Sequence, residues 1–212
     1  MEFDKILENI YKRLLKEVAG SDLAALTHRK RSYCLAVLYD AQRLKESLSV
    51  GVSDNLLETV QGSGSVKAYV KIVLPDQECN GAWMVGEMWG RGYGEILVDI
   101  AFALAPNNTL IMDRQVASPG AKSRWKKVTE KLKGTPLPPD CPTYHKGPGE
   151  EYLNASYTFP GDQAMLASME KIHEMTVDEL SDPDVTGLPP KVIENALIEA
   201  AFEFFNEELP IR

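Results

Sequence analysis

Three glycines at alternate positions, Gly90, Gly92 and Gly94, separate a short apolar run at residues 82–85 from a segment with helical periodicity at residues 95–104. Because glycine has no Cβ, such a backbone can curl tightly and present successive amide N–H groups to an anion. The first amides of the following helix have no intrahelical acceptor, and the helix dipole adds positive potential there. The segment therefore predicts a phosphate-binding turn between a strand and a helix.

The surrounding pattern predicts a crossover unit. Residues 66–74 alternate apolar and polar side chains, which is typical of a half-buried strand, and residues 108–112 form another short apolar run. With residues 82–85 and 95–104, the order is strand, glycine turn, helix, strand. That order predicts two parallel strands joined by a helix, and residues 152–159 predict a further strand.

Helices are predicted on both sides of this unit. Apolar residues at three- and four-residue steps indicate helices at residues 3–18, 32–48, 54–60, 122–132, 165–175 and 191–209. We therefore expect an α/β (α+β) fold with a mixed central sheet and flanking helices. Residues 1–60 are expected to form a helical N-terminal extension, residues 61–160 the core, and residues 161–212 an acidic helical C-terminal extension.

Composition excludes some partners. The formal net charge is -8 and the pI is about 5.0, so nonspecific binding to nucleic acid or to an anionic membrane is not predicted. No apolar run approaches the roughly 20 residues of a spanning helix, and the first residues do not resemble a signal peptide. We therefore expect a cytoplasmic location.

The cysteines and histidines give little sign of a reactive or metal site. Cys34, Cys79 and Cys141 are odd in number and widely spaced, so they are interpreted as free thiols, and no metal site is indicated. A catalytic pair of Cys141 with His145 is a weaker alternative. His28 and His173 are expected in solvent. Trp83, Trp89 and Trp125 are expected in the core or in pocket walls.

Two common kinds of nucleotide site fit the glycine turn poorly. The spacing of Gly90, Gly92 and Gly94 does not match the G-x-G-x-x-G register of dinucleotide sites, and the chain contains no G-x-x-x-x-G-K-[ST] phosphate loop. A tight turn with a purely structural role remains an alternative.

Residues 85–97, V-G-E-M-W-G-R-G-Y-G-E-I-L, resemble the acyl-CoA signature of the GNAT superfamily of N-acyltransferases. In that signature a strand valine and an acidic residue precede Q/R-x-x-G-x-G/A at the start of a helix, and Gly92 and Gly94 match the two glycines. The resemblance spans residues 66–159. Residues 110–112 resemble the family's next strand, residues 118–125 its N-x-x-A-x-x-x-Y helix, and residues 152–159 its last strand. Trp89 replaces the usual Gln or Arg, Ser118 the usual Asn, and Trp125 the tyrosine that protonates the leaving thiolate.

The resemblance implies that acetyl-CoA, or another acyl-CoA, is the cofactor. Its acyl group would pass to an amine of a small molecule or a protein. The residues that the resemblance assigns to cofactor binding are Val85, Trp89, Gly90, Arg91, Gly92, Tyr93, Gly94, Ser118 and Arg124.

The implied chemistry is direct transfer. The amine must lose a proton before it attacks the thioester, and Glu87, at the end of the strand, is the expected general base, with Glu78 a weaker candidate. Tyr144 or Tyr152 is expected to protonate the departing thiolate in place of the missing tyrosine, with Tyr157 a further candidate.

Two noncatalytic interpretations stand beside the enzyme. The missing tyrosine and asparagine, together with the added terminal helices, are also compatible with a degenerate GNAT-like structural protein, for example a bacteriophage virion component, in which apolar stripes on these helices form a homo-oligomer. An antagonist that binds a host protein through the acidic tail is a third interpretation. A basic run is either a solvated face or a site for the 3′-phosphate of CoA or an acidic partner; it consists of Arg114, Lys122, Arg124, Lys126, Lys127, Lys131 and Lys133.

Overall fold

The computed structural model describes residues 22–51, 55–74, 79–90, 92–112, 119–141 and 151–208. These residues form seven strands, which are β1 (Leu23–Arg29), β2 (Tyr33–Asp40), β3 (Val66–Val73), β4 (Trp83–Trp89), β5 (Thr109–Met112), β6 (Thr135–Pro136) and β7 (Ala155–Thr158). They also form six α-helices, which are α1 (Ala41–Ser49), α2 (Leu56–Gly62), α3 (Gly94–Leu104), α4 (Pro119–Thr129), α5 (Gln163–Ser181) and α6 (Pro190–Glu208), and a 3-10 turn at Glu151–Leu153.

The strands form one mixed sheet in the order β1-β2-β3-β4-β5-β7-β6. β4 and β5 are parallel neighbours joined by α3, which confirms the predicted crossover unit. β7 pairs antiparallel with both β5 and β6. The α+β class with a mixed sheet and flanking helices is therefore confirmed.

The chain divides into two compact units. Among the described residues, the first comprises those in the ranges 22–27, 36–69 and 164–208, and the second those in the ranges 28–35 and 70–163. In the first unit α2 packs on α6, and the ring of Tyr69 contacts that of Phe202. In the second unit the fully buried ring of Trp125 stacks on Phe102 and meets Tyr157 edge-on.

The helix predicted for residues 32–48 is wrong in its first half. Residues 33–40 form β2, whose middle six residues are all buried, and the helix begins only at Ala41. A continuous apolar run has no period that separates a buried strand from a buried helix. The boundary is set by Asp40, whose side chain accepts the amide of Arg43 at 3.0 Å as an N-cap. β1, rich in leucine and alanine, was not predicted as a strand.

The other elements lie close to their predicted positions. β3, β5, α2, α3, α4 and α6 match within a few residues, whereas β4 continues to Trp89 and α5 to Ser181. In the segment predicted as one strand at residues 152–159, a 3-10 turn precedes β7. The helix predicted for residues 3–18 lies outside the described residues.

Two of the three cysteines are not free thiols. Cys79 and Cys141 form a disulfide with a Cα–Cα distance of 5.1 Å, and both are buried with Ala82, Ile111 and Leu137. The interpretation of these two as free thiols is therefore wrong. The sequence did not indicate the pairing, because a separation of 62 residues carries no local signal. Cys34 is free, as predicted, and buried. Disulfides are rare in cytosolic proteins, so this bond is not what the expected cytoplasmic location implies.

No helix in the described part of the chain is long and apolar enough to cross a membrane. His28 and His173 are not the solvated helical residues that were expected. His28 lies on β1 and is half-buried, with its ring stacked near that of Tyr33. His173 lies on the buried face of α5, where it contacts Tyr39. Trp83 and Trp125 are buried, as predicted for core residues.

Gly161 allows a loop to pass against α3, and this gives a testable stability effect. Its φ is +63°, and a Cβ there would lie 2.6 Å from Ala103 N and 2.8 Å from Asp99 O. We expect Gly161→Ala to lower the free energy of unfolding by about 3 kcal/mol, from left-handed strain plus a backbone clash. Gly187 has φ +65° but no atom closer than 3.6 Å, so Gly187→Ala is the control with strain alone. Urea denaturation that gives equal losses for the two variants would contradict the close approach.

Candidate functional site

The glycine turn lies where the sequence predicted it, between β4 and α3. Gly90 and Gly92 have φ values of +148° and +86°, which side-chain-bearing residues rarely adopt. Gly92 is exposed, and a Cβ at its position would meet nothing within 4 Å. The Tyr93 amide donates to Gly90 O at 3.4 Å, which closes the turn.

The start of α3 carries amides that make no hydrogen bond to the described residues. Tyr93 stands at the N-cap position and makes no capping side-chain hydrogen bond. The first helical bond is donated by Leu97 to Tyr93 O at 2.9 Å. Within the described part of the chain, no acceptor faces the amides of Gly94, Glu95 and Ile96. Together with the helix dipole, these N–H groups can bind an anion such as a phosphate.

β4 extends beyond its described pairing with β5. The register runs from Trp83 opposite Leu110 to Val85 opposite Met112, and β4 then continues for four residues to Trp89. Val85 is buried, whereas Trp89 and Tyr93 are half-buried. The last residues of β4 therefore lead directly into the glycine turn.

Glu87, the expected general base, lies in this last part of β4. Its Oε1 is 2.7 Å from Nζ of Lys71 on β3, and both side chains are about one-quarter exposed. The ion pair fixes the carboxylate in one position while leaving it partly open to water. Sequence reasoning missed Lys71, although its place on the alternating strand at residues 66–74 put it on the polar face.

The described contacts of Trp125, Tyr152 and Tyr157 are with residues outside the turn. Trp125 packs on Phe102, eight positions and so about 12 Å along α3 from Gly94. Tyr157 is buried, its hydroxyl donates to Tyr152 O at 2.9 Å, and burial raises the pKa of its phenol. The ring of Tyr152 is half-buried, with Lys126 Nζ 5.9 Å from its centre. The structure therefore does not bring Tyr152 or Tyr157 into described contact with Glu87.

Several predicted site residues lie outside the described residues. These are Arg91, Ser118, Tyr144 and the weaker candidates Glu78 and His145, together with Arg114 of the basic run. Arg124 belongs to α4, but its side chain is not described. Four members of the basic run, Lys126, Lys127, Lys131 and Lys133, are exposed.

Asp99 is a buried carboxyl that sequence reasoning missed. It is 8% exposed on α3, and its Oδ2 accepts the amide of Asp162 at 2.9 Å. Burial raises its pKa to about 7. The signal was present in the sequence, because Asp99 is the one charged residue in the apolar stretch I-L-V-D-I-A-F-A-L at residues 96–104.

The protein has an α+β fold in which a glycine turn joins β4 to the start of α3. Comparisons with protein-family models, curated proteins and solved structures found no match.

Proposed function

We propose that this chain is an acyl-CoA-dependent N-acyltransferase that transfers an acyl group, such as acetyl, to an amine of a small molecule or a protein. One observation carries the proposal. The amides of Gly94, Glu95 and Ile96 have no acceptor among the described residues, and they adjoin a turn that is open at Gly92. A pyrophosphate supplies the negative charge and the acceptor oxygens that such a helix start favours.

The position of the turn supports an acyl-CoA over a free phosphate. It follows directly on β4, whose parallel neighbour β5 is reached through α3. This is the order of elements that the GNAT resemblance implies for the acyl-CoA site. Val85 and Trp89 would line the pantetheine side, and Gly90, Gly92 and Gly94 the pyrophosphate side.

Glu87 is the group for proton removal in this proposal. An amine attacks a thioester only when it is neutral, so a carboxylate at the end of β4 can accept the proton directly or through water. The contact with Lys71 holds the carboxylate in place. Of Tyr144 and Tyr152, the two residues expected to protonate the thiolate, Tyr152 belongs to the described residues and is half-buried.

Replacing Glu87 tests this role. We expect Glu87→Gln to lower the rate of CoA release from acetyl-CoA, measured over a library of amines, by about 100-fold, with little change in acetyl-CoA affinity. Lys71→Gln is the matched control, because it breaks the same ion pair but keeps the carboxylate. If the rate of CoA release fell equally in the two variants, the ion pair rather than proton removal by Glu87 would account for the effect. An unchanged rate in Glu87→Gln would remove Glu87 from the mechanism.

A second candidate is an acyl-CoA-binding module without catalysis, such as a structural component of a virion. It is favoured by the position of Trp125, which is fully buried in the core at the residue where the resemblance expects an acid. The hydroxyl of Tyr157 is also engaged by a backbone carbonyl. Binding of acetyl-CoA without CoA release for any amine would favour this candidate over the enzyme.

A further inference from the structure

A chain of polar contacts, buried at Tyr39 and His173, joins three elements of the first unit. Tyr39 Oη on β2 lies 2.9 Å from His173 Nδ1 on α5, and His173 Nε2 lies 3.5 Å from Glu194 Oε1 on α6. Tyr39 is fully buried, and His173 is 7% exposed. The Glu194 side chain is 37% exposed, so the chain begins in the core and ends at the surface.

His173 keeps a polar partner at each ring nitrogen in either protonation state. With a neutral ring, the Tyr39 hydroxyl donates to Nδ1, and Nε2–H faces the Glu194 carboxylate. When Nδ1 gains a proton it becomes a donor to Tyr39 Oη. The Tyr39 hydroxyl can then turn to Thr176, whose own hydroxyl donates to Ile172 O at 2.7 Å.

What changes on protonation is the charge in a desolvated site. The titratable and charged groups that face His173 from the described elements are Tyr39 on β2, Glu170 and Glu174 on α5, and Glu194 on α6. The three carboxylates favour an imidazolium, but burial outweighs them and lowers the pKa of His173. The folded arrangement therefore disfavours the protonated ring relative to an opened state in which water reaches it.

We propose that His173 is an acid-operated latch, whose protonation loosens α5 and α6 from β2. Above the ordinary titration range of histidine the neutral ring joins all three elements. As the pH falls through that range, the opened state gains a proton that the closed state binds less well, so the opened state becomes more populated.

Hydrogen exchange of the α5 and α6 amides between about pH 7.5 and about pH 5 tests the latch. After correction for the intrinsic rates, we expect the opening equilibrium constant to rise by up to about tenfold per pH unit below about 6.5. In His173→Gln, whose amide can accept from Tyr39 and donate to Glu194 but does not titrate, this rise should disappear. A flat profile in the natural protein, or the same rise in His173→Gln, would overturn the proposal.

A pair of variants on α6 tests the latch even if His173→Gln does not fold. Glu194→Gln removes the carboxylate that faces the ring, so the acid-dependent rise should become larger. Glu199→Gln makes the same chemical change at an exposed position of α6 that does not face the ring and should follow the natural protein. Identical pH profiles for these two variants would show that Glu194 does not act through His173 and would overturn the latch.

Discussion

Loss of the Cys79–Cys141 disulfide is expected to lower the free energy of unfolding by about 4 kcal/mol. The bond closes a loop across a sequence separation of 62 residues, and its loss restores to the unfolded chain the conformational freedom that the closed loop removed. Both cysteines are buried with Ala82, Ile111 and Leu137, so the bond also fixes one of the apolar clusters of the second unit. For a chain of this length the corresponding fall in melting temperature is about 10 °C.

The measurement is urea denaturation with and without a thiol reductant. The natural protein should lose stability in the reductant, whereas Cys79→Ala/Cys141→Ala should be less stable at the outset and insensitive to it. This double variant keeps Cys34, so it controls for any effect of the reductant on the remaining thiol. If the natural protein were as stable with the reductant as without it, the bond would have no stabilising role.

The second large effect is a fall in stability with rising pH that depends on Asp99. Burial raises the pKa of this carboxyl from 3.8 to about 7. Between those values the folded state keeps a proton that the unfolded chain has lost, so the free energy of unfolding decreases as the pH rises. The full decrease, complete above the folded pKa, is about 4 kcal/mol.

Asp99→Asn should abolish this pH dependence, because the amide oxygen can still accept the Asp162 N–H but the side chain does not titrate. At low pH the variant and the natural protein should be about equally stable, and above about pH 7 the variant should be more stable. Asp140→Asn, at an exposed site of the same unit, should leave the pH dependence unchanged. Parallel stability curves for Asp99→Asn and the natural protein would contradict a raised pKa. The comparison also separates this effect from that of His173, because the His173 effect raises the free energy of unfolding as the pH rises.

The β4–α3–β5 unit could be predicted from sequence because its signals are local. Alternation marks β3, glycines mark the turn, and a three- and four-residue period marks α3. The same local signals located Glu87 near the end of β4, Gly92 in the turn and Gly94 where the turn meets α3. The described geometry agrees with those placements.

What escaped prediction depends on long-range packing. β1 and β2 are strands because they pair in a sheet, although Leu23–Arg29 is rich in residues that favour helices. The partner of Cys79 lies 62 residues away, and the burial of His173 depends on β2 and α6. Lys71 became relevant only when pairing of neighbouring strands brought it to Glu87.

Calorimetric titration with acetyl-CoA tests the central claim most directly, with Gly92→Val as the site variant. A valine there would strain the backbone at φ +86° and cover the amides at the start of α3. Gly51→Val is the matched control, at an exposed glycine with φ +134° and open surroundings. We expect the natural protein and Gly51→Val to bind with micromolar affinity, and Gly92→Val to bind at least about tenfold more weakly. No binding to the natural protein, or equal binding to Gly92→Val, would contradict an acyl-CoA site on this turn.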